Sequence, residues 1–533
     1  MVSSLDNKRI APVRRIYHLA VIVVIVSLII IQFNGNLRYT AKVSSINSGS
    51  IMPDLIGLKT NLARNMEDIP TILQTNFDST EGNARPMNKE VANDERLNVL
   101  LLYADDWRHD TIGVAGDKVV HTPEIDRLSS EGIRFTHNCV TTSLCWISRA
   151  TLTTGQYLSR HKQIKLLNPL SYYENAWNET YPALLRDRGY YTGQVGKWQF
   201  HTYPRDKWNF TSDDEYGWHW REIAGKMVHV TKKNELDAME FLKTRPKDSP
   251  FLLTVAFFAP HGVDGDPQQY YPQKESLGLY NDVNFTIPLN GINMDESWNR
   301  LPSFFNEINE GRKRWHWRYD EPIKAEKMMK NFYRMETEVD KTCGNLIKEL
   351  SRQGVLNKTL IIFTTDNGNS HGEHGLAGKW FPYQESIRVP LVIRDPRMPS
   401  EAHGTTNDEF TLNIDLASTI LSAAGVEQPA RMQGRDISEL YLPSKRNKML
   451  SDPWRKDFFY EFPVREDPFH IPSSNALIEK NFKYIEWLEF NVSQLFDLIN
   501  DRFEENDLIN DAKHSRRISK MKHRLKELAA AAL

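Results

Sequence analysis

The sequence predicts an α/β protein with a large, mostly parallel sheet that is covered by helices on both faces. Short, continuous apolar runs recur along the chain, and such runs are typical of strands buried on both faces. Segments with helix-start signals alternate with these runs, which is the order expected of strand–helix–strand units. Shorter strand-like segments after about residue 451 predict a smaller C-terminal sheet.

The first predicted strand and helix carry the clearest signals. Residues 98–103 form an apolar run that ends abruptly at Asp105 and Asp106, so we expect two carboxylates at the carboxyl end of a buried strand. Farther along, Thr122 is suited to an N-cap, Pro123 suits the first helical position, and acidic residues follow in the first turn. We therefore predict a helix that starts there.

The alternation continues to the end of the chain. We predict further strands at residues 190–195, 251–258, 360–365, 458–462 and 484–488. We predict further helices at residues 181–188, 235–243, 325–353 and 514–533. The last of these helices is basic and amphipathic. Residues 284–319 are rich in Trp, Arg and Pro, and we expect either a long functional loop or a solvated insertion whose Trp side chains pack on the domain.

The first part of the chain carries a membrane-targeting pattern. Residues 17–33 are an almost unbroken apolar run, preceded by the basic residues Lys8, Arg9, Arg14 and Arg15. The positive-inside rule predicts that residues 1–16 lie in the cytosol and that the residues after the apolar run lie on the other side of the membrane. We favour an uncleaved signal anchor, because no clean cleavage signal follows the run. A cleaved signal peptide is the alternative, since the run is short for a membrane span.

The polar residues 34–95 predict a stem, followed by a main domain over residues 96–450 and a smaller C-terminal subdomain over residues 451–533. We expect a single-pass type II membrane protein of the secretory pathway whose main domain is luminal or extracellular. A secreted or lysosomal protein after cleavage is the alternative. Five glycosylation sequons agree with this topology, at Asn178, Asn209, Asn284, Asn357 and Asn491. A net charge of -2 provides no global field for nucleic acid.

Only 3 cysteines are present, which excludes a disulfide-rich scaffold. Cys139 and Cys343 either pair with each other or are buried thiols. Cys145 differs from them, because it directly precedes a predicted helix start and Arg149 follows one turn later. A group on residue 145 would meet free backbone N–H groups and a guanidinium, a setting that favours an anion.

Hard oxygen ligands gather at two predicted strand ends. Asp105 and Asp106 follow one apolar run, and Asp366 and Asn367 follow another. Because the carboxyl ends of parallel strands lie at one edge of the sheet, we expect these side chains to bind Ca²⁺ or Mg²⁺ there. Positive or histidine side chains also follow strands or lie just beyond them: Arg149, Lys197, His261 and Lys379. A cation ringed by such donors would bind a tetrahedral oxyanion.

Several ordered blocks of the sequence match a known family. The blocks are residues 102–106, 122–128, 143–155, 196–198, 259–261, 365–368, 372–375 with Lys379, and the C-terminal stretch 495–506. From about residue 97 to about residue 508, the chain resembles the formylglycine-dependent sulfatases of the alkaline-phosphatase-like superfamily.

The resemblance implies an alkaline-phosphatase-like fold and a bound Ca²⁺, with Mg²⁺ the less favoured ion. It implies that a formylglycine-generating enzyme oxidises Cys145, and that the hydrate of the resulting formylglycine provides the nucleophile while its second hydroxyl expels sulfate. The implied Ca²⁺ ligands are Asp105, Asp106, Asp366, Asn367 and the modified Cys145. Arg149 would orient the nucleophile. Lys197 and Lys379 would bind sulfate oxygens, and His261 would lie near the leaving-group oxygen.

Two positions depart from the family pattern. Ile147 stands where the modification signal usually has proline, two residues after the cysteine. Gln199 stands where the family has a histidine that contacts the nucleophile. Either Gln199 forms a hydrogen bond in its place or His201 takes the role, and we favour His201.

The sequence therefore predicts a membrane-anchored sulfatase that cleaves sulfate esters of a sulfated carbohydrate or glycosaminoglycan. One alternative keeps the fold but acts on phosphate or phosphonate esters, as other members of the superfamily do. Another is a catalytically silent binder of a sulfated glycan, which Ile147 and Gln199 motivate.

Overall fold

A computed structural model of the protein describes residues 96–164, 176–199, 205–213, 217–285, 294–445, 451–463 and 467–533. The strands are β1 (Asn98–Ala104), β2 (Ile133–Cys139), β3 (Tyr191–Gly196), β4 (Phe210–Asp213), β5 (Trp220–Ile223), β6 (Lys226–His229), β7 (Phe251–Ala256), β8 (Thr359–Thr365), β9 (Ser370–His371), β10 (Ala377–Gly378), β11 (Leu391–Arg394), β12 (Thr405–Leu412), β13 (Asp457–Phe462), β14 (Ser474–Glu479), β15 (Phe482–Trp487) and β16 (Val492–Asp497). The helices are α1 (Pro123–Ser130), α2 (Cys145–Thr154), α3 (Leu158–His161), α4 (Tyr181–Asp187), α5 (Val230–Thr244), α6 (Met294–Asn299), α7 (Glu310–Arg318), α8 (Pro322–Arg352), α9 (Gln384–Ile387), α10 (Asp415–Ala423) and α11 (Ser515–Ala532).

An 8-stranded sheet lies at the centre, in the spatial order β12-β2-β11-β8-β1-β7-β3-β4. Its neighbouring strands pair in parallel except at β11, which is antiparallel to both β8 and β2. The register places Ala104 opposite Thr365 and Tyr103 opposite Ala256. The residues that follow β1, β7 and β8 therefore lie together at the carboxyl edge of the sheet.

Alternate residues of β1 pack into different hydrophobic clusters on the two faces of the sheet. Leu100 and Leu102 belong to the cluster that includes α1, α5 and α8. Val99 and Leu101 belong to the cluster that includes α2, α4 and α10. Because both faces of the sheet are covered, consecutive residues of β1 are apolar and form one continuous run in the sequence. These layers confirm the predicted fold class.

Helix α1 begins at Pro123 as predicted, but the side chain of Thr122 does not cap it. The Asp340 carboxylate on α8 accepts hydrogen bonds from the backbone N–H groups of Glu124, at 3.1 Å, and Ile125, at 2.8 Å. The orphan donors of the α1 N-terminus are thus satisfied by a side chain that is distant in sequence.

A second sheet confirms the predicted C-terminal architecture. Strands β13, β14, β15 and β16 form a 4-stranded antiparallel sheet. The basic helix α11 packs on it through Met521 and Leu525, which are buried with Leu477 and Tyr484. The domain boundary near residue 451 stays a prediction.

Parts of the sequence-based description need correction. In the large sheet, four strands were not predicted: β2, β4, β11 and β12. Strand β2 has only partly buried polar side chains at Arg134 and Thr136, and β4 and β11 are short. The proposed long loop over residues 284–319 is wrong for its described part, which contains helices α6 and α7.

Cys139 and Cys343 are free, buried thiols in two different hydrophobic clusters, so of the two alternatives the unpaired one is correct. The predicted tail, anchor and stem, residues 1–16, 17–33 and 34–95, lie outside the described residues. Among the residues that are described, no helix has the length and apolar character needed to cross a membrane.

Candidate active site

Most of the predicted site residues meet at the carboxyl edge of the large sheet. Asp105 and Asp106 follow β1, while Asp366 and Asn367 follow β8, and all four side chains are buried. Asp106 has a φ of 63°, a left-handed conformation that non-glycine residues adopt at some energetic cost. Such strain is typical of functional sites whose surroundings fix the backbone.

Arg149 links the two acidic strand ends. Its Nη2 lies 2.9 Å from Asp105 Oδ2 and 2.7 Å from Asp366 Oδ2. Its Nη1 donates to the backbone oxygen of Lys197 at 3.1 Å. Arg149 is only 3% exposed, so it acts as a fixed support for the site and not as a surface charge.

The pKa values of Asp105 and Asp366 shift in opposite directions. Burial alone would raise the pKa of Asp105, but Lys197, His261 and Arg149 hold it well below its usual range. Burial, and then the negative charge of Asp105, raises the pKa of Asp366. A cation bound beside the two carboxylates would favour the ionised form of Asp366 and would therefore lower this pKa.

Cys145 is the first residue of α2, and the side chain of the N-cap residue, Leu144, forms no capping hydrogen bond. The Cys145 thiol lies 3.5 Å from Asp105 Oδ1, and Lys379 Nζ donates to its sulfur at 3.0 Å. Burial, and then the charge of Asp105, raises the pKa of the thiol well above its ordinary value. Cys145 thus lies at a helix N-terminus and beside a positive group, as predicted. The unmodified thiol is neutral at this position.

The side chains at this edge fit a divalent cation. Ligand atoms that all lie within 4.8 Å of one another belong to Asp105, Asp106, Cys145 and His261. Asn367 donates its Nδ2 to Asp106 Oδ1 at 2.5 Å, while its buried Oδ1 has no hydrogen-bond partner within the described part of the chain. An amide oxygen without a hydrogen-bond partner, together with neighbouring carboxylates, provides suitable ligands for a hard cation.

Lys197 reaches the site through a tight turn after β3. Gly196 has a φ of 85°, and an added Cβ would lie 2.1 Å from the backbone oxygen of Ala256. Only glycine allows this close approach. The next residue donates its backbone N–H to the same Ala256 oxygen at 2.8 Å, and its Nζ forms an ion pair with Asp105.

Lys379 lies at the end of a loop that is fixed by an ion pair and by a ring-stacking contact. Its ammonium pairs with Asp106, which raises its pKa above the usual value although burial would lower it. Glu373 of the same loop pairs with Arg108. The ring of His374 stacks on Tyr383 with centroids 4.4 Å apart. The sequence indicated this block of residues but not the supporting contacts.

His261 lies on the segment after β7, with its Nε2 3.7 Å from Asp106 Oδ2. Its Nδ1 lies 2.5 Å from the backbone oxygen of Gly262, which can only accept, so Nδ1 carries a proton. Burial, and then Lys379, lowers the pKa of His261 to about 4. The ring is therefore neutral near pH 7, with Nε2 free to take up a proton.

The two departures from the family pattern have different settings. Ile147 is 0% exposed and belongs to the apolar cluster that also contains Leu144, so it fills core space in the first turn of α2. Gln199 has a φ of 60°, and its Oε1 is buried with no hydrogen-bond partner among the residues that are described. His201, which we favoured for the histidine role, lies outside the described residues and stays a prediction.

Asp264 is a charged residue of the site rim that the sequence did not indicate. It follows His261 by three residues and pairs with Arg314, which lies in the segment 284–319 that is rich in Trp, Arg and Pro. A single aspartate in a loop carries no pattern, and its distance of three residues from His261 was the one available signal.

Comparison with known proteins agrees with the family resemblance that these site residues indicate. A family model described as sulfatase matches residues 97–426. The chain belongs to the sulfatase family. A second model, described as the C-terminal part of N-sulphoglucosamine sulphohydrolase, matches residues 372–531 of this sulfatase. The resemblance inferred from the sequence is thereby confirmed, and with it the prediction of a sulfuric ester hydrolase.

The sulfatase is similar to several characterised proteins. An N-acetylglucosamine-6-O-sulfatase of Bacteroides thetaiotaomicron is 26% identical over 83% of this chain and 88% of its own length. An arylsulfatase of Clostridium perfringens is 27% identical over 79% of this chain and 92% of its own. A structure in complex with its substrate D-glucosamine-2-N,6-O-disulfate shares the fold, with a TM-score of 0.68 and 23% identity over 82% of this chain and 98% of that chain.

As a sulfatase, the chain hydrolyses sulfate esters. The family generally uses formylglycine and a divalent metal, and the buried acidic cluster described above fits such a metal. A phosphonate monoester hydrolase from Silicibacter pomeroyi also has this fold, with a TM-score of 0.69 and 20% identity over 82% of this chain and 96% of that chain. Fold similarity at that identity does not transfer a substrate.

Proposed function

We propose that this sulfatase removes sulfate from a carbohydrate that contains glucosamine. The observation that carries the proposal is the position of residue 145, whose sulfur is 3.0 Å from Lys379 Nζ at the start of α2. A nucleophile there would have an ammonium group and the N-terminus of a helix beside the sulfate that it attacks. The proposed substrate class draws support from two names: the relative that is an N-acetylglucosamine-6-O-sulfatase, and the matched C-terminal model of an N-sulphoglucosamine sulphohydrolase.

In this proposal, a formylglycine-generating enzyme oxidises Cys145 during biosynthesis. The modified residue supplies a hydrate, in which one hydroxyl oxygen attacks sulfur and the other serves to release sulfate afterwards. Arg149 keeps Asp105 and Asp366 in place beside it, as their 2.9 Å and 2.7 Å contacts support. Ile147, two residues after the nucleophile position, packs into the apolar cluster that contains Leu144.

The proposed metal is Ca²⁺, which prefers carboxylate and amide oxygens in a flexible geometry. Its ligands would be Asp105, Asp106, Asp366, Asn367 and the modified residue 145. A bound Ca²⁺ would supply positive charge opposite the sulfate oxygens. Mg²⁺ is the less favoured ion.

Lys197 and Lys379 are proposed to bind the sulfate oxygens. In this structure, the ammonium group of Lys197 forms an ion pair with Asp105, and that of Lys379 forms one with Asp106. A cation on those carboxylates would compete for the same oxygens, so that the ammonium groups become available to an anionic substrate. Both lysines are buried, where charge–charge interactions are strong.

His261 is proposed to serve the leaving-group oxygen. Because Nδ1 faces the Gly262 carbonyl, Nε2 is the atom that can hold and deliver a proton. Its neutral state lets it take up that proton when the negatively charged substrate binds. Either Gln199 or His201 would contact the nucleophile, and we continue to favour His201.

For the cellular location, we propose the secretory pathway, with residues 17–33 as a signal anchor and the catalytic domain in the lumen or outside the cell. All five sequon asparagines are exposed: Asn178, Asn209, Asn284, Asn357 and Asn491. A relative named as an extracellular sulfatase homologue of Drosophila melanogaster, 29% identical over 73% of this chain and 35% of its own length, agrees with this location. Endoglycosidase treatment and N-terminal sequencing of the isolated protein test both parts.

The function is tested with protein from a secretory host that installs formylglycine. We expect sulfate release from N-acetylglucosamine 6-sulfate and from an aryl sulfate, and much slower release of phosphate from the matching aryl phosphate. Cys145→Ala should remove this activity, whereas Cys139→Ala, at a buried thiol outside the site, should retain it. Faster cleavage of the phosphate, or no sulfate release from any sugar sulfate, would contradict the proposal.

A further inference from the structure

Asp264 places a carboxylate at the rim of the active site. Its side chain is 61% exposed, whereas the side chain of His261, three residues earlier, is 8% exposed. Burial alone would raise the pKa of Asp264, but His261, Arg314 and Lys379 hold it well below its usual range. The carboxylate is therefore ionised, and it lies within electrostatic reach of Lys379 in the site.

Arg314 on α7 fixes one side of this carboxylate. Its Nη1 lies 2.7 Å from Asp264 Oδ1, and its Nε lies 2.8 Å from Glu310 Oε1. The arginine side chain is only 9% exposed and lies 4.9 Å from the ring centroid of Trp380, the residue after Lys379. A buried guanidinium held at two nitrogens has a fixed direction, so the aspartate that it binds is oriented as well.

Glu310 extends these contacts to the C-terminal part of the chain. Its Oε2 lies 2.7 Å from His470 Nε2, and its backbone N–H donates to the His470 oxygen at 2.9 Å. His470 precedes β14 of the smaller sheet. We call Asp264, Arg314, Glu310 and His470 the rim chain. It connects the edge of the active site to the segment before β14 through Arg314 and Glu310, which are 9% and 15% exposed.

The Asp264 carboxylate is not needed to neutralise Arg314. Glu310 already supplies a carboxylate that is 15% exposed, and an exposed ion pair adds little stability. Arg314 engages Oδ1 of Asp264, whose side chain is 61% exposed. An ionised carboxylate oxygen can only accept hydrogen bonds. This exposed carboxylate is thus a hydrogen-bond acceptor at the rim whose position Arg314 fixes.

We propose that Asp264 is a specificity-determining residue that accepts a hydrogen bond from a hydroxyl group of the sugar ring that bears the sulfate. Arg314 is its positioning residue, and Glu310 in turn orients Arg314. This inference rests on the proposed function, because it concerns the sugar part of the same substrate. An aryl sulfate has no such hydroxyl, so it cannot use this contact.

The test compares kcat/KM for N-acetylglucosamine 6-sulfate and for 4-nitrophenyl sulfate in the full chain carrying formylglycine. We expect Asp264→Ala to lower kcat/KM for the sugar roughly 10- to 100-fold more than for the aryl sulfate, the range for a hydrogen bond to a charged group. Asp264→Asn keeps an acceptor oxygen without the charge and should lose less. Asp248→Asn, at an exposed carboxylate before β7, is the matched control.

Arg314 needs a readout that a purely structural role would not change. We expect Arg314→Met to raise KM for the sugar more than it lowers kcat, and Arg314→Lys to recover part of that loss. Equal losses on both substrates in the Asp264 variants would overturn the inference while leaving the proposed function intact. A wild-type chain that cleaves the aryl sulfate no worse than every sugar sulfate would also overturn it. A chain that cleaves neither substrate would instead overturn the proposed function.

Discussion

The Lys379 ammonium lies 3.0 Å from the Cys145 sulfur. The two residues are 234 positions apart in the chain, and they meet because α2 and the loop after β10 converge on the carboxyl edge of one sheet. In the proposed function, the sulfate lies between residue 145 and this buried positive charge.

Replacing Lys379 should therefore affect the chemical step. We expect Lys379→Met to lower kcat for an aryl sulfate by roughly 100- to 1,000-fold, as for the loss of one charge-stabilising donor in an active site. Lys341→Met, at an exposed position of α8, is the control for the loss of a lysine charge. Steady-state kinetics measures the effect, and near-wild-type kcat in Lys379→Met would show that this ammonium does not contact the reacting sulfate.

Removal of divalent metal should inactivate the enzyme reversibly. Asp105, Asp106 and Asp366 form a buried acidic cluster whose oxygens are suitable ligands for a divalent cation. We expect dialysis against a chelator to remove activity and to lower the unfolding temperature, because the cation binds only the folded state. Ca²⁺ should restore both properties better than Mg²⁺. Full activity in exhaustively chelated protein would rule out the metal.

The turn at Gly196 gives a stability prediction that does not depend on the chemistry. Gly196→Ala places a Cβ 2.1 Å from the Ala256 carbonyl oxygen at a φ of 85°. We expect a loss of at least about 2 kcal/mol in the free energy of unfolding, together with lower activity, because Lys197 must shift. Gly189→Ala is the matched control, since its φ is 84° but nothing lies within 4 Å. It should cost about 1 kcal/mol. Similar losses in both variants would show that the Ala256 contact is unimportant.

Glu338 on α8 should make stability depend on pH. Burial raises its pKa to about 7 from its ordinary value of 4.5, although Ser276 and Gln273 donate hydrogen bonds that lower it. The stabilisation by its bound proton is complete below about pH 4.5 and is lost as the pH rises through about 7. The glutamine of Glu338→Gln has no such proton to lose. When the pH rises from 5 to 8, the free energy of unfolding of the wild type should therefore fall by about 1–3 kcal/mol more than that of the variant.

Urea unfolding at both pH values measures this difference. Glu401→Gln, at an exposed glutamate, should follow the wild-type pH dependence. An identical pH dependence for Glu338→Gln and the wild type would show that Glu338 titrates normally in the folded chain.

The sequence allowed the main layers of the fold to be predicted because burial on both faces leaves a simple signal. The run that forms β1 is apolar at every position facing either cluster, and it ends at Asp105. Strand β2 leaves no such signal, because Arg134, Thr136 and His137 are only partly buried. Its place in the sheet comes from pairing with β11 and β12, which are distant in sequence.

The site was predictable in its residues but not in its contacts. Asp105 and Asp366 each follow an apolar run, so their common edge could be expected from parallel pairing. The bridge that Arg149 makes between them depends on the packing of α2 against the sheet, and no local pattern encodes it. Asp264 was missed for the same reason, since its partner Arg314 lies on a helix that the sequence did not predict.

Mass spectrometry of the tryptic peptide of residues 135–149 tests the central claim most directly, because this peptide contains both Cys139 and Cys145. In protein from a secretory host, we predict one alkylated thiol, at Cys139, and a formylglycine aldehyde at position 145. Cys139 thus serves as the internal control for alkylation. Two alkylated thiols in fully active enzyme would contradict the account, since the nucleophile would then not be a modified Cys145.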